Sequence, residues 1–217
     1  MDYAGARANM VESQLRPNKV SDPQIVAAFE SVPRELFVPE VKRGIAYVDK
    51  DVSIAEDRYL MEPRVLARLL QAAAVDPGDV VLDIGCGTGY ASAILAQLAA
   101  TVVALESEAG LAEQAGRTLS ELGVDNVLVV EGALTEGYAK QAPYDVILVG
   151  GSVAEVPQTI YDQLAEGGRL VAVVRDQAGL GRGTLMQRIA GVPSHRVLFD
   201  AATPFLPGFT REVGFVF

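Results

Sequence analysis

The stretch V-V-L-D-I-G-C-G-T-G-Y at residues 80–90 decides the fold. An apolar run with Asp83 near its end passes into three glycines that alternate with other residues. Glycines at such a turn permit positive φ and allow a ligand to approach the backbone closely. A helix that starts directly after the turn adds free N–H groups at the same place. The stretch therefore predicts a strand, a ligand-binding turn and a helix, in that order.

The chain after residue 79 alternates between short apolar runs and segments with helical spacing. The runs consist almost entirely of Val, Leu and Ile, which is typical of strands covered on both faces. Alternation of strand and helix predicts a doubly wound, mostly parallel α/β sheet with right-handed crossovers. The predicted strands cover residues 79–84, 101–106, 126–131, 144–150 and 169–174, and the predicted helices cover 88–99, 108–122 and 157–165.

The end of the chain has a different pattern, in which apolar runs are separated by turn residues rather than by helices. The runs are T-L-M-Q-R-I (184–189), H-R-V-L-F-D (195–200) and R-E-V-G-F-V-F (211–217), with G-V-P-S (191–194) as a turn. Such closely spaced runs predict antiparallel strands at one edge of the sheet. His195, the only histidine, is expected to be a surface residue rather than a base.

The beginning of the chain is predicted to be a helical cap. We expect this cap, with an acceptor loop, to cover residues 1–75, and the sheet domain to cover 76–217 in one compact unit. A short helix is predicted over residues 3–15. Ser21 or Asp22 is expected to cap a second helix, because Pro23 follows at its first turn.

Two further segments complete the predicted cap. R-E-L-F-V, between Pro33 and Pro39, is expected to be a short connector, and residues 49–61 are predicted to be a polar, irregular loop. A third helix is predicted to begin at Pro63. The apolar residues that share one face of this helix are Val65, Leu66, Leu69 and Leu70.

Composition narrows the class of protein. With 217 residues, half of them apolar, the chain can form one domain with a full core. Its formal net charge of −10 argues against nucleic acid and against an anionic membrane surface as partners. No apolar run approaches the roughly 20 residues of a membrane-spanning helix, and no secretory signal is visible. We expect a cytoplasmic protein and no metal.

Cys86 is the only cysteine, so the chain can form no internal disulfide. Its place between Gly85 and Gly87, with no histidine near it in sequence, favours a small spacer over a reactive thiol. In either case its backbone belongs to the predicted ligand-binding turn.

The identity of the ligand depends on the glycine spacing and on one later acid. A dinucleotide fingerprint requires G-x-G-x-x-G, and Tyr90 stands where its third glycine would be. Glu106, at the end of the next predicted strand, is placed to accept both ribose hydroxyls of a nucleoside. Asp83 is placed to organise the turn or the polar end of the ligand. A tight turn without a ligand, with Glu106 as a solvated strand end, and a nicotinamide dinucleotide site are the alternatives.

The set D-x-G-x-G-x-G at residues 83–89, with Glu106 after it, resembles motif I of the class I S-adenosylmethionine-dependent methyltransferases. The resemblance implies a Rossmann-like methyltransferase sheet that binds S-adenosyl-L-methionine, which has an amino-acid end, a ribose and an adenine but no pyrophosphate. The residues implied in cofactor binding are Asp83, Gly85, Cys86, Gly87, Gly89, Glu106, Gly132, Ala133, Leu134 and Gly150.

The whole chain is similar to the protein-L-isoaspartate O-methyltransferase family. The segments that carry the similarity are V-P-R-E-L-F-V-P (32–39), A-P-Y-D-V-I-L-V (142–149) and E-V-P-x-x-I-x-x-Q-L-x-E-G-G-R-L-V (155–171). The resemblance implies an enzyme that esterifies the α-carboxylate of L-isoaspartyl residues in damaged proteins. The ester then cyclises to a succinimide, whose hydrolysis returns some normal aspartate.

Three segments depart from the pattern of that family. Its Q-T-I-S-Q-P reads R-Y-L-M-E-P at residues 58–63, so Met61 stands where the serine would be. Its G-D-G reads G-A-L at 132–134, where backbone groups would have to contact the adenine, and its T-A-A-P reads G-G-S-V at 150–153. No catalytic residue is assigned for this reason.

The acceptor-loop candidates are Arg58, Tyr59 and Met61. Arg58 is either the partner of the acceptor carboxylate or a solvated charge. Leu60 and Met61 are equally well read as core residues beneath the cap.

Methyl transfer to a carboxylate needs no general base, because the acceptor is already an anion and the leaving thioether is neutral. Two other functions stay open: a methyltransferase of the same fold with a different acceptor, and a cofactor-binding module without catalysis. Exposure of F-L-P-G-F (205–209) would favour the last, since an exposed apolar patch often marks an interface. We expect that segment to fold back onto the sheet instead. No oligomeric state is predicted.

Overall fold

The computed structural model describes residues 1–210 as a central sheet with helices around it and a separate hairpin. The strands are β1 (Val52–Ala55), β2 (Arg58–Leu60), β3 (Val80–Ile84), β4 (Thr101–Glu106), β5 (Val127–Glu131), β6 (Tyr144–Val153), β7 (Leu164–Arg175), β8 (Gly181–Ile189) and β9 (Val192–Asp200). The α-helices are α1 (Tyr3–Met10), α2 (Pro23–Ser31), α3 (Pro63–Ala73), α4 (Tyr90–Leu95), α5 (Ala109–Glu121) and α6 (Gln158–Tyr161).

The central sheet has seven strands in the order β5-β4-β3-β6-β7-β8-β9. The strands from β5 through to β7 are parallel to their neighbours, so the predicted doubly wound sheet is confirmed. The chain proceeds from β3 outward to β5 and then crosses to β6 on the other side of β3. This reversal places the switch point, where ligands bind in such sheets, between β3 and β6.

The antiparallel edge is also confirmed, since β8 pairs antiparallel with β7 and β9. The turn before β9 lies at Ala190 and Gly191, which both have positive φ, and not over 191–194 as predicted. Residues 192–194 instead begin β9 and pair with β8. The predicted strand at 211–217 lies outside the described residues. His195 is exposed on β9, as expected.

The cap begins with α1, which continues into a π-helical turn over Val11–Leu15. Of the two predicted caps, Asp22 is the one that caps α2, because its Oδ1 accepts the N–H groups of Gln24 and Ile25 at 2.8 and 3.3 Å. One hydrophobic cluster joins cap residues such as Phe29 to sheet residues such as Val81. Because the cluster contains residues from both predicted parts, it marks no boundary between them, and the division of the chain at residues 75 and 76 stays a prediction.

The prediction of an irregular loop over residues 49–61 is wrong. β1 and β2 form an antiparallel hairpin there, and Asp57 at φ +51° makes its turn. V-S-I-A in β1 buries Val52 and Ile54 and alternates them with more exposed residues, which is the period of a strand. This alternation spans only four residues and has polar residues on both sides, so the sequence did not distinguish the strand from a loop.

Two predicted helices are much shorter than expected. α4 covers Tyr90–Leu95 rather than 88–99. Gly89 at φ +94° delays its start, and after Leu95 the N–H groups of Gln97 and Leu98 donate to carbonyls three residues back, as in turns. α6 covers Gln158–Tyr161 rather than 157–165. Pairing in the sheet limits α6, since the carbonyl of Gln163 already accepts the N–H of Tyr144 at 2.8 Å.

The F-L-P-G-F segment folds back onto the sheet, as expected. The N–H of Ser152 in β6 donates to the carbonyl of Pro204 at 2.8 Å, and the N–H of Leu206 donates to the carbonyl of Ser152 at 2.9 Å. Leu206 and Phe209 are consequently buried, and the apolar interface that their exposure would have indicated is not observed.

Within residues 1–210, no helix combines the length and the apolar character needed to cross a membrane. In the same range, no group of three or more His, Cys, Asp and Glu side chains is arranged to hold a metal ion.

α3 packs its apolar face into the core, where Leu70 is fully buried. Replacing Leu70 by Ala should lower the free energy of unfolding by about 2–5 kcal/mol, because a cavity remains in a close-packed core. Urea denaturation measures the change. Leu128→Ala, the same truncation at a half-exposed site on β5, is the control and should cost less than about 1 kcal/mol. Equal losses in the two variants would contradict this packing.

Candidate active site

The predicted ligand-binding turn follows β3. Gly85, Gly87 and Gly89 have φ of +76°, +58° and +94°, so all three require the conformation that glycine adopts freely. The N–H groups of Gly85 and Cys86 both donate to the carbonyl of Leu105 in β4, at 2.8 and 3.1 Å. These two bonds tie the turn to the end of the neighbouring strand.

Glu106 ends β4 beside this turn and is completely buried. Arg58 in β2 donates from both terminal nitrogens to the two carboxylate oxygens. The backbone N–H groups of Gly87, Ser107 and Glu108 also donate to this carboxylate, at 2.8, 2.7 and 3.0 Å. Burial acts to raise the pKa of Glu106, but Arg58 and the backbone donors outweigh it and hold the pKa below its usual value.

Asp83 lies in β3 directly before the turn and is also fully buried. Ser92 Oγ donates to its Oδ2 at 2.6 Å, whereas its Oδ1 has no hydrogen-bond partner among residues 1–210. Burial, reinforced by the charge of Glu106, raises the pKa of Asp83 to about 7, against the opposing effects of Ser92 and Arg58.

The remaining predicted cofactor residues lie at the same edge of the sheet. The N–H of Gly132, after β5, donates to the carbonyl of Glu106 at 2.9 Å, and Leu134 is buried nearby. Ala133 stands between them and is exposed. Gly150 in β6 faces the turn so closely that a Cβ there would lie 2.7 Å from the carbonyl oxygen of Gly85. The structure thus brings together all ten residues, and their roles in binding stay predictions.

Cys86 is buried within the turn. Burial raises the pKa of its thiol well above the usual value, and the charges of Asp83 and Glu106 add to the effect. A thiol that stays protonated is a poor nucleophile. The structure therefore supports the interpretation of Cys86 as a spacer.

Side chains of the protein itself cover the glycine turn. A Cβ on Gly85 would lie 2.7 Å from Leu206 Cδ1, and a Cβ on Gly87 would lie 2.7 Å from Ile54 Cδ1. Two cavities of about 10 and 20 Å³ remain around the turn. Ligand pockets usually measure about 300–1,000 Å³, so the space directly at the turn is closed. A cavity of about 620 Å³ lies beyond it, lined by Ile54, Glu108 and Pro207 among others.

The acceptor-loop candidates occupy different environments. Leu60 and Met61 are buried, which confirms the reading of both as core residues, and Tyr59 is partly exposed beside the two cavities. Arg58 is 3% exposed, so its interpretation as a solvated charge is wrong. Its guanidinium contacts Glu106, a partner that neither sequence-based interpretation of Arg58 included.

Arg34 binds the acceptor loop through the carbonyl of Met61, a role that sequence reasoning missed. It is fully buried, and it donates from Nε to the carbonyl of Ala46 at 2.7 Å and from Nη2 to that of Met61 at 2.8 Å. Its guanidinium also lies 4.7 Å from the ring centroid of Tyr90. The V-P-R-E segment that contains Arg34 was the available signal, but it shows no partner for the guanidinium.

The base of the hairpin is closed by a second contact. The N–H of Glu62, after β2, donates to Asp51 Oδ1, before β1, at 2.9 Å. This contact joins the two ends of the hairpin to each other, and the bond from Arg34 to Met61 ties them to the cap.

A doubly wound sheet with this glycine turn and an acid at each of two neighbouring strand ends defines a class I methyltransferase fold. A family model for protein-L-isoaspartate(D-aspartate) O-methyltransferase matches residues 6–190. The chain belongs to the protein-L-isoaspartate(D-aspartate) O-methyltransferase family.

Individual relatives agree with this assignment. A protein-L-isoaspartate O-methyltransferase of Koribacter versatilis is 40% identical over 202 residues, which cover 88% of this chain and 91% of that protein. A solved protein-L-isoaspartate O-methyltransferase aligns with a TM-score of 0.81 at 28% identity, over 93% of this chain and 66% of that chain. A putative enzyme of this kind from Plasmodium falciparum, solved with S-adenosyl-L-homocysteine, shares the fold with a TM-score of 0.78 at 21% identity, over 91% of this chain and 96% of that one.

The residues at this edge fit the chemistry of an adenosyl amino acid. Asp83 Oδ1 is a buried acceptor that lacks a donor within the described chain, and Glu106 is an acid at the position of a ribose partner. The space, however, is filled by Ile54, Arg58 and Leu206. The cofactor therefore fits the donors and acceptors of the site, provided that these side chains move.

Asp83 should make stability depend on pH. Its native pKa of about 7 exceeds the roughly 3.9 of an unfolded chain, so the native state binds the extra proton between those values. The free energy of unfolding should therefore fall as pH rises from about 4 to about 7, by up to about 1.4 kcal/mol per pH unit.

Asp83→Asn should remove this component in urea denaturation at pH 5, 6 and 7. Asp125→Asn, the same change at an exposed position, controls for the loss of a carboxylate. An unchanged pH dependence in Asp83→Asn would contradict the assignment.

Proposed function

We propose that the protein is an S-adenosyl-L-methionine-dependent carboxyl methyltransferase that acts on L-isoaspartyl residues of damaged proteins. The observation that carries the proposal is the pair of buried acids, Asp83 and Glu106, on either side of a positive-φ glycine turn in a chain of this family. Membership of the family supports the enzyme class, the cofactor and the kind of acceptor.

We assign the cofactor residues by the chemistry each one offers. Glu106 would accept the ribose hydroxyls, and Asp83 Oδ1 would accept an N–H of the amino-acid end, which would satisfy its missing hydrogen bond. Gly85, Gly87 and Gly89 would allow close approach to the backbone, and backbone groups at 132–134 would contact the adenine, since no acid stands there.

The bound cofactor supplies a methyl group on a sulfonium, which leaves as a neutral thioether. An acceptor carboxylate is already a nucleophile, so the protein needs neither a general base nor a general acid for the transfer. What its residues contribute is alignment of the acceptor in a cleft from which water is excluded. The burial of Asp83, Glu106, Leu60 and Met61 is consistent with such a cleft.

The acceptor is proposed to be a protein or peptide that contains isoaspartate. Met61 cannot replace a serine hydroxyl as a hydrogen-bond donor, so other groups of the loop have to position the carboxylate. We place the enzyme in the cytoplasm, in agreement with a chain that has one cysteine and forms no internal disulfide.

Transfer of a labelled methyl group from S-adenosyl-L-methionine to two peptides tests the function. The peptides differ only in containing isoaspartate or aspartate at one position. We expect base-labile label on the isoaspartyl peptide alone, because a carboxylate ester is the product. Label on neither peptide, with cofactor binding intact by calorimetry, would refute the isoaspartyl acceptor. Label on both would mean that the loop does not distinguish the two linkages.

A further inference from the structure

The carboxylate of Glu106 has no free capacity for another ligand. Its Oε1 accepts from Arg58 Nη1, from the N–H groups of Ser107 and Glu108 and from Ser107 Oγ, and its Oε2 accepts from Arg58 Nη2 and Gly87 N–H. A carboxylate offers about four acceptor sites in all. Ribose hydroxyls can therefore bind Glu106 only where Arg58 now binds it.

A single movement of the hairpin would clear the site. Arg58 on Glu106 and Ile54 over Gly87 both belong to the β1–β2 hairpin, which pairs with no strand of the central sheet. The two ends of the hairpin are joined by the contact between Asp51 and Glu62, and Arg34 holds the carbonyl of Met61 at its C-terminal end. Displacement of the hairpin about these ends would uncover the acid and the glycine turn together.

Release of Arg58 would leave a guanidinium in a cleft that is otherwise acidic. Among residues 1–210, Arg58 is the only Lys or Arg that lines either of the two cavities at the turn. Asp57 and Asp83 also line them, and Glu106 lies directly behind. An acceptor carboxylate would be repelled by the charges of Asp57 and Glu106, and Arg58 is the group that can compensate.

We propose that Arg58 exchanges partners during the reaction cycle: it leaves Glu106 when the ribose of the cofactor binds there, and its guanidinium then receives the carboxylate of the acceptor. Arg58 is thus a competitor of the cofactor and a specificity-determining residue for an anionic acceptor. The order of binding follows, with the cofactor first and the acceptor second. The acceptor half of this inference rests on the proposed function.

Calorimetry of the full chain with S-adenosyl-L-homocysteine tests the competition. Arg58→Ala should bind this ligand about tenfold or more tightly than the unaltered protein, because a closed state that excludes the ligand lowers its apparent affinity. A merely structural role would weaken binding instead, so the direction of the change is decisive. Equal or weaker binding by Arg58→Ala would overturn the proposal.

Two further variants make this comparison specific. Arg58→Lys retains the charge but loses the bidentate contact with Glu106. Its affinity for S-adenosyl-L-homocysteine should therefore fall between those of the unaltered protein and Arg58→Ala. It also serves as the test if Arg58→Ala does not fold. Arg117→Ala removes the same side chain from the exposed face of α5, where it pairs with Glu113, and should leave the affinity unchanged. Tightening in Arg117→Ala equal to that in Arg58→Ala would overturn the proposal, since net charge would then explain both.

The partner exchange is tested by binding of the isoaspartyl peptide with and without saturating S-adenosyl-L-homocysteine. The unaltered protein should bind the peptide at least about tenfold more tightly when the ligand is present, and Arg58→Ala should lose this coupling. Equal peptide affinity in the two conditions would overturn the acceptor half. Because this readout requires no turnover, a lack of methyl transfer would count against the proposed function alone.

Discussion

The buried contact between Arg58 and Glu106 is the interaction on which the closed site depends. Taking two charges out of water is costly, and an ion pair offsets that cost only with good geometry and further hydrogen bonds. Here the guanidinium contacts both carboxylate oxygens, and backbone N–H groups of Gly87, Ser107 and Glu108 satisfy the rest. The contact holds the hairpin against the sheet and with it Ile54 over the glycine turn.

The sheet and the glycine turn could be predicted from the sequence because their signals are local. Continuous apolar runs mark buried parallel strands, and three alternating glycines after Asp83 mark a turn with positive φ. The position of Glu106 at the end of β4 followed from the same runs, since parallel strands end at one edge. All of these features depend on residues that are close together in the chain.

The hairpin and the covering side chains could not be predicted, because they depend on contacts between distant segments. A four-residue alternation such as V-S-I-A is too short to distinguish from a loop. Nothing near Arg58 in the sequence indicates Glu106 as its partner. The F-L-P-G-F segment was expected to fold back, but its apolar character does not reveal that Leu206 covers Gly85. The predicted end of α6 was wrong for a similar reason, because pairing between β6 and β7 ends this helix early.

The fixed ends of the hairpin have a mechanical consequence. Arg34 donates to the carbonyl of Met61, and Asp51 accepts the N–H of Glu62, so the two ends of the hairpin lie together at one point that is tied to the cap. Because the ladder between β1 and β2 is internal to the hairpin, the proposed rotation would leave the ladder intact and would release the contact of Lys42 with the carbonyl of Ser53. In the proposed movement the hairpin would therefore turn as one body, and substitutions that remove the Arg34 contact would leave the axis of that movement undefined.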